Sequence, residues 1–249
     1  MPASVVVTGA GAIGSAVALE MASQGAVVEV WDSSASALEA MALTQQHSVR
    51  TRLVDVLDGG AIDRALTEFV QHCGTIDAMV TTAAIATFAP VATMSEEMWR
   101  AMIDVNLTGV FLCNRAAVGA MLPVGRGAIV NISSIGGMRG EPEYSHYCAS
   151  KFGVIGFSQS LALEVGPDGI RVNCVCPGAV SSEMNTATLQ RDARRLGVPY
   201  EEIEQRVLAK TALRRLVAPE DIAKTVAFLC SDAAAGITAT AVPVTAGVL

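Results

Sequence analysis

The amino-acid sequence predicts an α/β fold in which a parallel sheet of about seven strands is covered by helices on both faces. The chain has 249 residues, of which 51% are hydrophobic and 16% charged, and this is enough apolar material for one large domain. Short runs of β-branched residues alternate along the chain with longer helical patterns, as in parallel sheets. The predicted strands are largely apolar, which is typical of strands that are buried on both faces.

The predicted elements alternate regularly along the chain. Strands are predicted at Val5–Val7, Ala26–Trp31, Val49–Val54, Ile76–Thr81, Gly127–Ser133, Ile170–Cys176 and Ala241–Val244. Helices are predicted at Ile13–Ser23, from the end of the second strand through Leu43, at Ala61–Cys73, from Ser95 to about Met121, at Ser150–Val165 and at Pro219–Ser231. A helical, charged stretch from Ser181 to Ala212 interrupts the alternation. We expect a single domain over residues 1–249 with a substrate loop or lid at about 181–212, and a packed decoration of the domain is the alternative for that stretch.

Charge and cysteine content exclude several classes of function. The net charge is −7 and the isoelectric point is near 5.0, which argues against nucleic acid or an anionic membrane as a partner. The six cysteines show neither a Cys-x-x-Cys motif nor zinc-site spacing, so we expect no metal and reduced thiols in a cytoplasmic protein. We find no signal-peptide pattern and no apolar run long enough to cross a bilayer.

A glycine-rich turn joins the first strand to the first helix. Gly9, Gly11 and Gly14 have G-x-G-x-x-G spacing within VVVTGAGAIGSA. Glycines let the backbone approach a pyrophosphate closely, and a helix N-terminus offers unpaired N–H groups to it. A plain strand-to-helix turn would need one glycine rather than three. The pattern therefore indicates a dinucleotide site in a Rossmann-like, doubly wound sheet.

The residue that ends the second strand indicates which dinucleotide binds. Asp32 lies eighteen residues after Gly14, where a carboxylate can hold both ribose hydroxyls of an adenosine. The same carboxylate repels a 2′-phosphate, and neither Ser33 nor Ser34 supplies a cation to neutralise that phosphate. The sequence predicts NAD in preference to NADP. The alternative role for Asp32 is to cap the next helix.

The segment YSHYCASKFG, residues 144–153, combines rare residues. It holds two of the three tyrosines and one of the three lysines, and Lys151 lies four residues after Tyr147. On a helix, residues four apart lie on the same face, so this pair presents a phenol and an ammonium to the same space. The alternative is a surface helix with a lysine beside a half-buried ring. Two further polar residues favour a functional site over a surface helix. They are Ser134 and Asn106, and the latter is a polar residue in an otherwise apolar helix.

The chain resembles the short-chain dehydrogenase/reductase family in the order and spacing of its key residues, which are the glycine-rich loop, Asp32, Asn106, Ser134 and Tyr147-x-x-x-Lys151. The segment RVNCVCPGAVSS, which contains Pro177 and Gly178, resembles the family's N-x-x-x-P-G segment after strand six. The resemblance extends from Val5 to Gly247, which is essentially the whole chain.

The resemblance implies a reaction in which hydride moves between a carbinol carbon and a nicotinamide while a proton moves on the oxygen. Tyr147 would be the acid or base, and Lys151 together with the positively charged nicotinamide would lower its pKa from about 10 towards neutrality. Lys151 would also hold the nicotinamide ribose, and Ser134 would hydrogen-bond the substrate oxygen. Asn106 would hold a water that relays the proton outward.

Two sets of contacts are expected. Cofactor contacts are expected at Gly9, Gly11, Ile13, Gly14, Asp32, Asp55, Val56, Ala83, Tyr147, Lys151, Pro177, Gly178, Val180 and Ser182, with Asp55 and Val56 flanking the adenine. Substrate contacts are expected at Ser134, Met138, Tyr144, Tyr147 and Met184. His146 points about 100° away from its neighbour Tyr147 on a helix, so we expect a solvated or interface residue.

Four segments depart from the usual pattern of the family. The loop from Thr8 to Gly14 is one residue shorter, and the segment after strand four reads Thr81-Thr82-Ala83-Ala84 where the family has Asn-Asn-Ala-Gly. Ser182 replaces a threonine, and alanines replace glycines in the terminal turns Thr238-Ala239 and Thr245-Ala246-Gly247. Because alanine replaces glycine without strain only at negative φ, we expect negative φ at the substituted positions.

These observations predict an NAD-dependent dehydrogenase of a secondary alcohol, diol, polyol or hydroxy compound. A 3-oxoacyl thioester reductase of the same family is the alternative, which Asp32 disfavours. A non-catalytic NAD-binding regulator is a second alternative, favoured by the altered segment 81–84 and disfavoured by the intact catalytic residues. The helices near Ala101–Met121 and Ser150–Val165 are apolar on more than one face and therefore need cover on both sides. Because the family that the chain resembles commonly pairs these helices across two-fold axes, we expect a homo-oligomer, specifically a homotetramer.

Overall fold

A seven-stranded parallel sheet forms the centre of the computed structural model, which describes residues 2–44 and 49–248. The strands run in the order β3-β2-β1-β4-β5-β6-β7, and every neighbouring pair is parallel. Their bounds are β1 Ser4–Thr8, β2 Val27–Asp32, β3 Val49–Leu53, β4 Ala78–Thr81, β5 Gly127–Ile132, β6 Ile170–Pro177 and β7 Ala241–Val244. The order reverses between β1 and β4, and such a reversal opens a crevice at the carboxyl ends of the strands.

Helices connect the strands and cover the sheet. Their bounds are α1 Ala12–Ser23, α2 Ala35–Thr44, α3 Gly59–Cys73, α4 Glu96–Ile103, α5 Gly109–Met121, α6 Ser145–Val165, α7 Glu183–Leu196, α8 Tyr200–Ala209 and α9 Pro219–Cys230. A π-helical turn, Asp104–Thr108, joins α4 to α5. The helices α7 and α8 lie in the stretch predicted as a lid and pack on each other through Leu189, Ala193 and Ile203.

The two faces of the sheet contact different helices. Successive side chains of a strand point to opposite faces, and in β1 Val5 and Val7 join a core shared with α1 and α9. Val6 joins the other core, which is shared with α3, α5 and α6. All three valines are fully buried. The predicted doubly wound sheet with helices on both faces is confirmed.

Most predicted elements agree with the structure to within two residues, and α6 is the exception. It begins at Ser145 rather than at Ser150, so Tyr147 and Lys151 both lie on it. Tyrosine, histidine and cysteine are weak helix formers, which made the first turn of α6 difficult to predict. Burial of His146 and Tyr147 against the preceding loops outweighs that weak local preference.

The run Glu96–Val124 corrects one expectation, because it is long and apolar enough by length and composition alone to cross a membrane. It consists mainly of α4, the π-helical turn and α5. Core helices of globular proteins meet the same criterion. Here α5 packs against β4 and against the helices α3 and α6, as a helix covering the sheet does.

The C-terminal turns contain alanines in the left-handed region. Ala239 has a φ of 59° and Ala246 a φ of 52°, so the expectation of negative φ is wrong at both positions. Tertiary hydrogen bonds hold them there, since Ala239 N donates to Val172 O at 2.8 Å and Ala246 O accepts from Leu213 N at 3.0 Å. An L-residue in this region loses roughly 1 kcal/mol, which the surrounding contacts offset.

Candidate active site

The glycine-rich turn forms a cradle in front of α1. Gly9 has a φ of +92°, and a Cβ there would lie 2.8 Å from Ala83 N. A Cβ on Gly14 would overlap the carbonyl oxygen of Gly9, whereas one on Gly11 would meet nothing within 4 Å. No side chain caps the N-terminus of α1, and Ile13 in its first turn is half-buried. An open face beside uncapped N–H groups fits a pyrophosphate.

Thr82 fastens the shortened loop to the end of β4. Its hydroxyl donates to Thr8 O at 2.6 Å and lies 3.3 Å from Gly9 O. A Cβ on Gly14 would come within 2.7 Å of the same hydroxyl. Two of the departures from the family pattern, the shorter loop and the threonine, are therefore in direct contact.

The neighbouring Thr81 belongs to a buried polar network between strands β4 and β5. Its hydroxyl donates to Asn131 Oδ1 at 2.7 Å, and Asn131 also bonds Asn114 and Ser158. Thr81 thus supplies a hydroxyl where the family has an amide. Ala84 does not have a positive φ, so its methyl group adds no backbone strain.

Asp32 faces the glycine-rich loop from the end of β2. One carboxylate oxygen accepts from Ala10 N at 2.7 Å and the other from Ser34 N at 2.8 Å. The following helix is capped by Ser34, whose Oγ accepts from Ala37 N at 3.2 Å, so Asp32 is not its cap. Each carboxylate oxygen keeps a further lone pair for a donor from outside the chain.

Two further expected cofactor contacts follow β3. Asp55 is exposed, and its Oδ1 accepts from Leu57 N at 2.9 Å. Val56 is buried, and a Cβ on Gly109 would lie 2.8 Å from its side chain. Both residues lie at the carboxyl edge of the sheet, on the side of the crevice where β2 ends.

The segment after β6 supplies the remaining predicted cofactor residues. β6 ends at Pro177, and a Cβ on Gly178 would lie 3.0 Å from the backbone of the C-terminal turn. Val180 is buried and forms an isolated parallel bridge with Val217. Ser182 caps α7 by accepting from Asn185 N at 3.3 Å, so it lies where the possible lid begins.

The rare tyrosine and lysine lie on one face of α6, beside the end of β5. Tyr147 and Ser134 both lie beside Gly136, because a Cβ there would be 3.3 Å from the Tyr147 ring and 3.5 Å from Ser134 Oγ. That Oγ accepts from Gly136 N at 3.0 Å. Lys151 is 2% exposed, and its Nζ donates to Ile132 O at 2.9 Å. That Nζ lies 5.8 Å from the centre of the Tyr147 ring. The structure therefore brings together three of the four predicted catalytic residues.

Burial dominates the protonation of this pair. Desolvation raises the pKa of Tyr147 to about 12, and the nearby Ser134 hydroxyl opposes this only in part. Desolvation lowers the pKa of Lys151 to about 8. Within the protein alone the phenol is protonated at neutral pH, which suits a proton donor. The predicted fall of the Tyr147 pKa towards neutrality therefore needs further positive charge beside it.

Asn106, the fourth predicted catalytic residue, is fully buried in the π-helical turn. Its Oδ1 accepts from Ile85 N and its Nδ2 donates to Ile85 O, both at 2.9 Å. The same amide nitrogen lies 3.3 Å from Ser150 Oγ, which donates to Tyr147 O at 2.8 Å. The side chain thus joins the loop after β4 to the turn of α6 that carries Tyr147, and its N–H groups are engaged within the protein.

Aromatic side chains continue from Tyr147 towards the possible lid. The ring of Tyr144 stacks on that of Tyr147 with centroids 4.2 Å apart, and Phe88 stacks on Tyr144 at the same spacing. The guanidinium of Arg191 in α7 lies over the Phe88 ring. Phe88 and Arg191 were not predicted, because contacts between distant segments leave no spacing signal in the sequence.

His146 corrects an expectation, because it is fully buried rather than solvated or at an interface. Its Nε2 lies 2.8 Å from Thr87 Oγ1, and burial lowers the pKa of the imidazole. The direction of His146 along α6 was predicted from the helix, but the loop after β4 covers that side. Met138 and Met184, two predicted substrate contacts, are 44% and 45% exposed and therefore lie on the surface.

Within residues 2–44 and 49–248 there is no cluster of three or more histidine, cysteine, aspartate or glutamate side chains that could hold a metal ion. The chemistry that this site can perform is proton transfer at the Tyr147 oxygen, next to a cradle for a dinucleotide.

Comparison with known proteins agrees with this arrangement. A family model described as enoyl-(acyl carrier protein) reductase matches residues 8–249. The 3-oxoacyl-(acyl-carrier-protein) reductase FabG of Chlamydia trachomatis is 36% identical over 248 residues, which cover 98% of this chain and 96% of the relative.

Two solved structures show the same fold with different cofactors. Actinorhodin polyketide ketoreductase with NADPH has a TM-score of 0.94 and 33% identity, and the match covers 98% of this chain and 96% of that one. NAD⁺-bound xylitol dehydrogenase has a TM-score of 0.92 and 28% identity, covering 98% of both chains. The similarity extends over nearly the entire chain in each case.

Proposed function

Because the chain belongs to the short-chain dehydrogenase/reductase family, we propose that this oxidoreductase is NAD-dependent and acts on a secondary alcohol, such as a diol, polyol or hydroxy compound. The observation that carries the proposal is the side-chain cluster of Tyr147, Ser134 and Lys151, which lies at the same sheet edge as the glycine-rich cradle. Bound NAD would supply the hydride acceptor, which no side chain of the protein can provide.

The preference for NAD rests on Asp32. Its carboxylate is held by Ala10 N and Ser34 N, so it lies beside the cradle where the adenosine ribose would bind. A fixed negative charge there favours ribose hydroxyls over a 2′-phosphate. Structural relatives include one protein with NADPH and one with NAD⁺, so Asp32 is the feature of this chain on which the proposal depends.

The chain's own groups would move the proton. Ser134 would hold the substrate oxygen within reach of the Tyr147 hydroxyl, since both side chains lie beside Gly136. Protonated Tyr147 would donate to a carbonyl oxygen, and in the other direction the Tyr147 phenolate would accept the proton of an alcohol. Lys151 would hold the nicotinamide ribose and favour the phenolate. Asn106 would position Tyr147 through Ile85 and Ser150 rather than touch the substrate.

A second candidate is a 3-oxoacyl thioester reductase. The observation that favours it is the 36% identity to the reductase FabG over nearly the full length of both proteins. The two candidates share the proton-transfer residues and differ in cofactor and substrate. A 3-oxoacyl thioester would approach the same Tyr147 and Ser134.

One assay distinguishes these possibilities. Secondary alcohols, diols and polyols are offered with NAD or NADP, and acetoacetyl thioesters are offered with NADH or NADPH. The absorbance of the reduced nicotinamide is followed in both cases. Oxidation of an alcohol or polyol with NAD supports the first proposal, and thioester reduction with a preference for NADPH supports the second. Binding of NAD without turnover of any compound would contradict both and favour a non-catalytic regulator.

We also propose that the protein is a cytoplasmic homotetramer with a mobile lid. Large apolar side chains on α5 and α6 remain exposed, namely Phe111, Phe152 and Leu163, and these helices need a further surface to cover them. A monomeric mass in light scattering would contradict the assembly. Hydrogen exchange in residues 181–212 that cofactor and substrate leave unchanged would contradict the lid.

A further inference from the structure

A column of planar groups extends from the catalytic tyrosine to the possible lid. Tyr147 and Tyr144 stack with centroids 4.2 Å apart and planes 11° apart, and Tyr144 and Phe88 stack at 4.2 Å and 14°. The guanidinium carbon of Arg191 then lies 3.3 Å from the Phe88 centroid. Two rings that stack closely on Tyr144 must occupy its opposite faces. Arg191 and Tyr147 therefore lie at opposite ends of one column.

The stacked rings of the column would form one side of a substrate site, and the length of the column would set the length of that side. At one end Tyr147 and Ser134 lie together beside Gly136, which indicates where a reacting oxygen would bind. Stacked rings are nearly parallel, so the edges of Tyr144 and Phe88 continue in the direction away from Tyr147. A substrate whose oxygen binds at Tyr147 could extend along these edges as far as Arg191.

Arg191 has an unused hydrogen-bond donor at that far end. Its Nε and Nη2 both donate to Asp192 Oδ1, at 3.1 and 2.5 Å. Its Nη1 is shielded from solvent and has no acceptor among the residues that the structure describes. A guanidinium carries five N–H donors, and a buried donor without an acceptor is unfavourable. Since the described residues supply no acceptor for Nη1, a ligand oxyanion that reached it would remove this cost.

The surroundings fix Arg191 in this orientation. Asp192 accepts from Arg191, and its Oδ1 also lies 3.8 Å from Arg195 Nη2. Arg195 Nη1 in turn lies 3.6 Å from Glu143 Oε1, in the loop before α6. The stacking on Phe88 holds the plane of the guanidinium. A preorganised guanidinium loses little entropy when it binds a ligand, and its charge-assisted hydrogen bonds to oxyanions are about twice as strong as neutral ones.

We propose that Arg191 binds an oxyanion at the end of the substrate remote from the reacting carbon, so that the preferred substrates are hydroxy or oxo acids rather than neutral alcohols. This inference rests on the proposed function, because it places the reacting oxygen at Tyr147. It adds a specificity determinant in α7 and a chemical class of substrate.

The experiment compares oxo acids with their neutral methyl esters. Levulinate, 5-oxohexanoate and 7-oxooctanoate and their esters are reduced with NADH by the wild-type enzyme, Arg191→Gln and Arg191→Lys. Arg194→Gln is the matched control, because Arg194 is an exposed residue of the same helix. The readout is the ratio of kcat/KM for each acid to that for its ester, which cancels any general loss of activity.

We expect the wild-type enzyme to prefer at least one acid over its ester by tenfold or more, and Arg191→Gln to remove that preference mainly through KM. Arg191→Lys should keep part of it, since the charge remains, and Arg194→Gln should leave it unchanged. Equal use of acids and esters by the wild-type enzyme, or an unchanged preference in Arg191→Gln, would overturn the inference while leaving the proposed function intact.

A binding measurement distinguishes failure of the proposed function from failure of the oxyanion site. If no ketone is reduced, the proposed function fails, and calorimetry in the presence of NAD then compares heptanoate with 1-heptanol. Tighter binding of heptanoate by the wild-type protein, weakened at least tenfold in Arg191→Gln, would support the oxyanion site on its own. Heptanoate that does not bind, or binds both proteins equally, would overturn it.

Discussion

The nucleotide end and the chemical end of the crevice are built differently. At the nucleotide end, Asp32 and Thr82 hold the glycine-rich loop through its backbone, from the ends of β2 and β4 on either side of β1. At the chemical end, side chains from separate segments meet: Asn106 bonds Ile85, and Phe88 stacks on Tyr144. The glycines of the first end lie within one strand–turn–helix unit, which Asp32 and Thr82 support from β2 and from the end of β4. The second end depends entirely on how whole elements pack. Substitutions of Asp32 and of Tyr147 should therefore affect cofactor binding and proton transfer separately.

Tyr147→Phe should give the largest difference between the effect on turnover and the effect on NAD binding. It removes the proton-transferring oxygen but keeps the ring that stacks on Tyr144. Turnover should fall at least ~10²-fold at every pH, the usual contribution of a positioned acid or base. The dissociation constant for NAD, measured by calorimetry, should change little. Turnover within tenfold of wild type would show that another group transfers the proton.

Asp32→Ala tests the opposite end. The wild-type enzyme should favour NAD over NADP by at least tenfold in kcat/KM, about 1.4 kcal/mol, and the variant should narrow that ratio. The reason is the loss of a fixed charge beside the 2′ position of the ribose. Asp63→Ala, an exposed residue of α3, serves as the control. A wild-type enzyme that uses NADP as well as NAD would contradict the role given to Asp32.

Thr82→Val tests whether the loop and the end of β4 work together. The substitution keeps the shape of the side chain and removes the hydroxyl that donates to Thr8 O. Loss of about 1 kcal/mol of loop ordering should weaken NAD binding roughly fivefold while kcat stays nearly constant. Thr82→Ser, which retains the hydroxyl, should bind NAD as the wild type does. Equal weakening in both variants would indicate a packing effect instead.

The smallest effect is expected far from both ends, at Ala246. Because its φ is 52°, Ala246→Gly should raise the free energy of unfolding by about 0.5–1 kcal/mol, measured by urea denaturation. Ala42→Gly in helix α2 should change it in the opposite direction, since glycine disfavours a helix interior. Destabilisation by Ala246→Gly would mean that the methyl contacts outweigh the backbone strain.

Features that depend on neighbouring residues could be predicted from the sequence. The strands and the glycine-rich loop follow from periodicity and spacing. The four-residue spacing of Tyr147 and Lys151 predicted one shared helix face, although the helix itself was predicted to begin only at Ser150. Features that depend on contacts between distant segments could not be predicted from the sequence. Ile85 engages the Asn106 amide, and Thr87 covers His146. Ala239 has a positive φ. Each of these features depends on a segment far away in the chain.

The pairing of Lys151 with Tyr147 is the central claim, and the pH–rate profile of Lys151→Met tests it most directly. Burial raises the pKa of Tyr147 to about 12 in the protein alone, so the phenol needs nearby positive charge to act as a base near neutrality. Without the ammonium, alcohol oxidation with NAD should lose rate near pH 7 and recover partly as the pH rises towards about 10. NAD binding should also weaken, and Lys224→Met, at an exposed position of α9, should change neither property. A Lys151→Met enzyme with the wild-type pH–rate profile and NAD affinity would contradict the account.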